Sequence, residues 1–261
     1  MAISLASISR TQRASAPPRI VVHGTQGVGK STFAASAYKP IFLPFEDGLT
    51  GIETDAFPLL GSYEGAIQAL DTLATEKHDF GTVVLDSLDW LEPLIWARVA
   101  RDAGKDSIEG IPYGKGYIEA TSYWRTILDK LGTLRDRGMA LILIAHTEVK
   151  RFDAPDMDAF DRYVLKLHRA AAALVVEWAD VVGLAQVETA IKKEAQGFQN
   201  RVRGVATGRR VLRVNEAPAY IAKNRFSLPD PLPLDWTALV QAIQGGASLA
   251  APAASTQQAA A

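Results

Sequence analysis

The 261 residues include no cysteine. Disulfide frameworks, cysteine-ligated zinc, iron–sulfur clusters and thiol nucleophiles are therefore excluded. There is no apolar run of about 18 residues, the least that spans a bilayer as a helix, so no membrane partner is expected. An excess of one charge is missing too: 28 Lys and Arg against 29 Asp and Glu give a net charge of −1. No global basic field points to nucleic acid, and any DNA site must be a local patch. The opening MAISLASISRTQRASAPP lacks the apolar core of a secretory signal, and a cytoplasmic location is expected. What is present is ordinary for a globular chain, with 48% hydrophobic and 22% charged residues.

Composition divides the chain into three parts. Residues 1–18 are polar and end in Pro17-Pro18, which reads as a flexible arm. Residues 244–261 hold eight alanines and no charge, with no apolar face to bury, which reads as a disordered tail. The ordered body is 19–243. Within it, continuous apolar runs predict strands at Arg19–His23, Ile41–Phe45, Thr82–Asp86, Met139–Ala145 and Asp180–Val187. Helices are predicted at Lys30–Tyr38, Tyr63–Thr75, Leu88–Ala103, Tyr117–Arg137 and Arg162–Trp178. The alternation gives βαβ units, hence an α/β fold with a mainly parallel sheet flanked by helices. Residues 188–226 carry alternating β-formers and read as antiparallel hairpins at one edge. A last helix is expected near Asp235–Ile243, with Asp235 as a cap.

The sharpest signal is GTQGVGKS, Gly24 to Ser31, between a strand and a helix. It fits G-x-x-x-x-G-K-[ST], the P-loop pattern. Gly24, Gly27 and Gly29 let the backbone approach phosphates without a Cβ clash, and the amides of Thr25, Gln26, Val28 and their neighbours face the anion. Lys30 supplies a point charge to the terminal phosphates, and Ser31 offers Mg²⁺ a hydroxyl. The expected cofactors are thus ATP and Mg²⁺. TVVLDS ends an apolar strand at Asp86, where a carboxylate completes the metal shell. Asp89 reads as a helix cap.

Three further residue sets bear on the chemistry. Glu46, in FLPFEDGL, ends the strand after the P-loop helix and is either a general base for water or a surface turn residue. His146, in MALILIAHTE, ends a buried strand at the edge where open α/β sheets bind ligands. It is either a γ-phosphate sensor or a satisfied buried histidine. Lys223 and Arg225, in YIAKNRFSLP, share one face of a late strand. They either reach a neighbouring subunit's nucleotide or are solvated edge charges. His23, His78 and His168 show no ligand spacing. Trp90, Trp96, Trp124, Trp178 and Trp236 sit beside apolar helical positions and read as core.

The set GTQGVGKS, PFED, VVLDS, LIAH and AKNR, in that order, resembles the RecA-like recombinase core. More closely it is similar to the compact RecA-like single-strand annealing ATPases of phages, over about residues 19–230. The resemblance implies roles at the matching positions. Lys30, Ser31 and Thr32 would hold phosphates and Mg²⁺, Asp86 would join the metal shell, and Glu46 would activate water. His146 stands where bacterial RecA has Gln. Lys223 and Arg225 would act in trans, which requires a homo-oligomer, ring or filament. Two segments would contact single-stranded DNA. One is Asp102–Gly116 with its continuation, carrying Tyr113, Lys115 and Tyr117. The other is Thr147–Asp161, carrying Lys150, Arg151 and Phe152. A single-strand DNA-binding protein is a further implied partner.

Residues 186–213 hold seven basic and two acidic residues. Arg201, Arg203, Arg209 and Arg210 there are either a DNA-backbone hairpin or a solubilising edge. The implied function is ATP-dependent annealing or strand pairing. The same core also serves a helicase or translocase motor, a nucleotide-gated loader of replication proteins, and, less well matched, a small-molecule kinase.

Overall fold

A computed structural model of the chain describes residues 16–153, 158–196 and 199–248. Side chains at 189–206 and 246–248, residues 1–15 of the expected arm and the stretch 249–261 of the expected tail lie outside the described residues. In chain order the elements are β1 (Arg19–Gly24), α1 (Lys30–Ala35), β2 (Pro40–Pro44), β3 (Asp55–Ala56), α2 (Tyr63–Thr75), β4 (Thr82–Asp86) and α3 (Leu88–Asp102). Then follow α4 (Lys115–Asp136), β5 (Ala140–Phe152), β6 (Phe160–Leu165), α5 (Arg169–Trp178), β7 (Val181–Gln196), β8 (Gln199–Arg213), β9 (Lys223–Asn224), β10 (Leu232–Pro233) and α6 (Trp236–Ser248).

The sheet runs β10-β8-β7-β1-β5-β4-β2-β3, with β6 on β5 and β9 on β7. From β7 to β3 every pairing is parallel, and β8 and β10 add an antiparallel edge. This is the expected α/β layout with a hairpin edge. The apolar runs divide between two faces by strand alternation. Val21, Ile41, Val83, Leu141 and Val182 pack under α2, α3, α4 and α5. Ile20, Val22, Phe42, Val84 and Ile142 pack under α1 and α6. No helix among the described residues is long and apolar enough to cross a membrane.

Two sequence expectations need correction. The helix placed at Arg162–Trp178 begins only at Arg169. Before it, Phe160–Leu165 is a strand antiparallel to β5, from Phe152↔Phe160 to Thr147↔Leu165. Its exposure alternates residue by residue, the period of a strand. The side chain of His168 accepts from the Ala170 amide and starts the helix. The last helix does not stop at Ile243 but continues to Ser248, into the stretch expected as tail; Leu239 is buried and Ile243 packs beside it. Asp235 caps it as expected, accepting from the Ala238 amide at 2.8 Å.

Two buried polar groups tie distant segments to β1. His23 bonds Thr147 Oγ1 and the Ile221 carbonyl, both at 2.9 Å. A carbonyl only accepts, so Nε2 carries the proton and Nδ1 accepts from the hydroxyl. Burial keeps this ring neutral by pushing its pKa down to about 4. Asp180 gathers Arg19 at 2.7 Å, Arg225 at 3.2 Å and Arg135 at 3.4 Å. Burial pushes its carboxyl up, but the hydrogen bonds and charge of Arg19 outweigh that and hold it below the usual carboxylate range. Asp180→Asn leaves three cations facing one another. We expect a loss on the order of 2–4 kcal/mol in urea unfolding, below the cost for a fully buried pair because the arginines are partly solvated. A change under about 0.5 kcal/mol would show that the cluster is mere surface charge.

Candidate nucleotide site

β1 ends at Gly24, where β7 passes so closely that a Cβ would stand 2.5 Å from the Ala185 carbonyl oxygen. Only glycine permits that approach. The chain then turns through Gly27 and Gly29, the latter at φ 102 as it enters α1. Lys30 folds back under this loop and donates to the carbonyls of Thr25 at 3.0 Å and Gly24 at 3.1 Å. It is only 6% exposed. Burial pulls its ammonium below the usual lysine range, against the opposing pull of Asp86, Asp89 and Glu46.

A cavity of about 280 Å³ opens above the loop, lined by Gln26, Gly27, Gly29, Lys30, Ser31 and Thr32, by Glu46, Asp86 and His146, and by Arg210. Ser31 Oγ donates to Asp86 Oδ2 at 2.7 Å, so the two proposed metal ligands already meet. Burial raises the Asp86 carboxyl above its ordinary range, and the nearby charge of Glu46 adds to that. A cation on Ser31 and Asp86 would relieve both effects, so this donor pair fits magnesium bound to a polyphosphate. Ser87 Oγ donates to Glu46 Oε1 at 2.7 Å and fixes that carboxylate at the cavity wall. The sequence thus brought Lys30, Ser31, Asp86, Glu46 and His146 to one place.

His146 is held by Asp89, which accepts from its backbone amide and its Nδ1, both at 2.9 Å. Asp89 is therefore not the cap it resembled. Burial pushes its carboxyl up, but the two bonds from His146 outweigh that and lower it. With Nδ1 carrying the proton, Nε2 is left for the cavity. β5 continues unbroken past His146 to Phe152 and pairs there with β6, so the second expected DNA segment is strand at 147–152 and 160–161. On it Lys150 pairs with Glu148 at 2.8 Å, Arg151 is exposed, and Phe152 sits under Arg162.

In the first expected DNA segment, Tyr113 is 94% exposed and Lys115 opens α4. Tyr117 stacks on His168 with ring centres 4.6 Å apart. Tyr117 and Lys150 line one cleft of about 410 Å³, shared with Glu92, Trp96 and Lys166. The two segments therefore adjoin.

Lys223 and Arg225 lie elsewhere. β9 pairs with the start of β7, at the amino end of the parallel strands, whereas the cavity is at their carboxyl end. Lys223 donates to the Val176 and Glu177 carbonyls at 2.7 and 2.6 Å, and Arg225 pairs with Asp180. They do not reach their own chain's cavity. Sequence reasoning missed three more residues. Trp90, expected as core, is 52% exposed and lines a pocket with Gln26, Glu46 and His146. Arg210 points to the P-loop although nothing local in β8 signals it. Glu92 is buried beneath the cleft, where Oε2 accepts from the His168 amide at 2.8 Å and Oε1 finds no partner among the described residues. The side chains of Arg201 and Arg203 lie outside the described residues.

The sequence profile of the AAA domain family matches residues 16–226. The chain belongs to this AAA domain family. Among solved structures, a crystal structure of the RadB recombinase is similar at 15% identity, with a TM-score of 0.41 over 76% of this chain and 80% of that chain. No curated protein matches the chain in sequence.

Burial pushes the Glu92 carboxyl up to about 7 from an ordinary 4.5. Its neutral form favours the fold, so that contribution is complete below about pH 4.5 and lost as pH rises through about 7. Relative to Glu92→Gln, the wild type should lose roughly 3 kcal/mol between pH 4.5 and 8 in urea unfolding. Parallel pH profiles for the two proteins would contradict this.

Proposed function

We propose that this AAA domain protein is a RecA-like ATPase of phage recombination. It binds single-stranded DNA and promotes annealing or strand pairing as a homo-oligomer. The observation that carries this reading is strand β5. His146 lies at its cavity end and Lys150, Arg151 and Phe152 on its projecting arm, with no break between them. His146 and Lys150 are four strand rises apart, roughly 13 Å. A change felt at the terminal phosphate moves one end of a rigid element whose other end carries cations and an aromatic face. The neighbouring wall of the same cleft, with Tyr117, supports a single path for the strand.

In hydrolysis, Glu46 takes a proton from the attacking water while the bond from the γ-phosphorus to the bridging oxygen breaks. Ser87 holds one oxygen of Glu46, leaving the other to face the water. Lys30 neutralises charge on the terminal phosphates, and Ser31 and Asp86 hold magnesium, which screens the phosphates when bound. Lys223 and Arg225 act on a neighbouring copy's nucleotide. The half-exposed guanidinium of Arg225 and the distance of both from their own cavity support that arrangement.

Glu46→Gln should keep ATP affinity while turnover falls about 100-fold, the usual contribution of a positioned general base. Unchanged turnover in a phosphate-release assay would place the base elsewhere. Anisotropy of a labelled single-stranded oligonucleotide should show binding that strengthens with magnesium and a non-hydrolysable ATP analogue. It should weaken as salt rises from 50 to about 200 mM. No binding in any nucleotide state would overturn the DNA reading.

A further inference from the structure

Arg210 approaches the P-loop from the side opposite the acidic residues. β1 stands between them: His146 on β5, Asp86 on β4 and Glu46 just after β2 lie on one side, and β7 and β8 lie on the other. The backbone of Arg210 is fixed. It pairs with Val187 across β7, and its carbonyl accepts from the Leu234 amide at 3.0 Å. Val211 and Leu212, which follow it, are buried.

The side chain is exposed and lies against the loop. A Cβ built on Gly29 would stand 2.9 Å from its Nη1 and 3.6 Å from its Cδ and Cζ. Among the described residues Arg210 has no carboxylate partner, whereas Arg209 beside it faces Glu188 at 3.7 Å. Two cations, Lys30 and Arg210, thus line one cavity, and nothing described near Arg210 neutralises it. An anion with more than one charge centre is what this pair is built to receive.

We propose that Arg210 binds the nucleotide in cis, gripping the diphosphate portion that remains after the γ-phosphate leaves. This rests on reading the cavity as a nucleotide site. The γ-phosphate must lie beside Ser31, Asp86 and Glu46, where metal and water act, so a cation entering across Gly29 from the far side meets the α- and β-phosphates. When the bond to the γ-phosphorus breaks, the electron pair stays on the β-phosphate oxygen, and Arg210 faces that gathering charge. Its fork matches two phosphate oxygens at once, which a lysine cannot do. Gly29 is required on this account for a second reason besides its positive φ: any side chain there would displace the guanidinium.

The test is calorimetric titration of the full chain with magnesium-ATP and, separately, magnesium-ADP. Arg210→Ala should weaken both about 10- to 100-fold, as expected for losing charge-assisted bonds, and by similar factors. Arg210→Lys should recover part of the loss in both. The melting temperature of each variant without nucleotide should match the wild type, since the side chain is exposed. Unchanged affinities, or a loss confined to ATP, would overturn the assignment, the latter because it would place Arg210 on the γ-phosphate. If the wild type binds neither nucleotide, the nucleotide reading itself falls and takes this inference with it.

Discussion

Lys30 is a cation buried beneath a loop of bare amides, and the arrangement of the site follows from what that burial demands. Its charge is met by two loop carbonyls and by the carboxylates of Asp86, Asp89 and Glu46. Those three come from different elements, so the balance holds only while β2, β4 and α3 stand in register around β1. Burial holds the Asp86 carboxyl above its usual range, and Ser87 tethers Glu46. The proposed magnesium-bound polyphosphate would bring the charges that balance this cluster.

The second organising element is β5. It lies next to β1, is buried on both faces through Ala145, and beyond His146 pairs, among the described residues, with β6. His146 marks the change from one regime to the other, and Asp89 fixes it there. On the proposed function, a polar residue at that boundary would put nucleotide state and arm on one strand.

Much of this was legible in the residues. β4 and α2 have the bounds their patterns give, because a run buried on both faces and an amphipathic stretch capped by Ser62 are local signals. The P-loop, Asp86, Glu46 and His146 were legible because each follows or closes an apolar run at the same edge of a parallel sheet. What was not legible depended on partners far away in sequence. β6 looked helical because its alternation is short and runs into a true helix, and only its pairing with β5 decides the matter. Asp89 looked like a cap because it opens a helix, but His146 competes for its oxygens and wins.

The α/β class, the P-loop and the carboxylates beside it follow from periodicity and from motifs contained in a few residues. Long-range packing sets Arg210 against that loop, keeps Lys223 and Arg225 away from it and leaves Trp90 exposed at its rim. The physical reason is the same in each case. Strand order and hairpin register set which side chains share a cavity, and those are fixed by pairings between residues far apart in the chain.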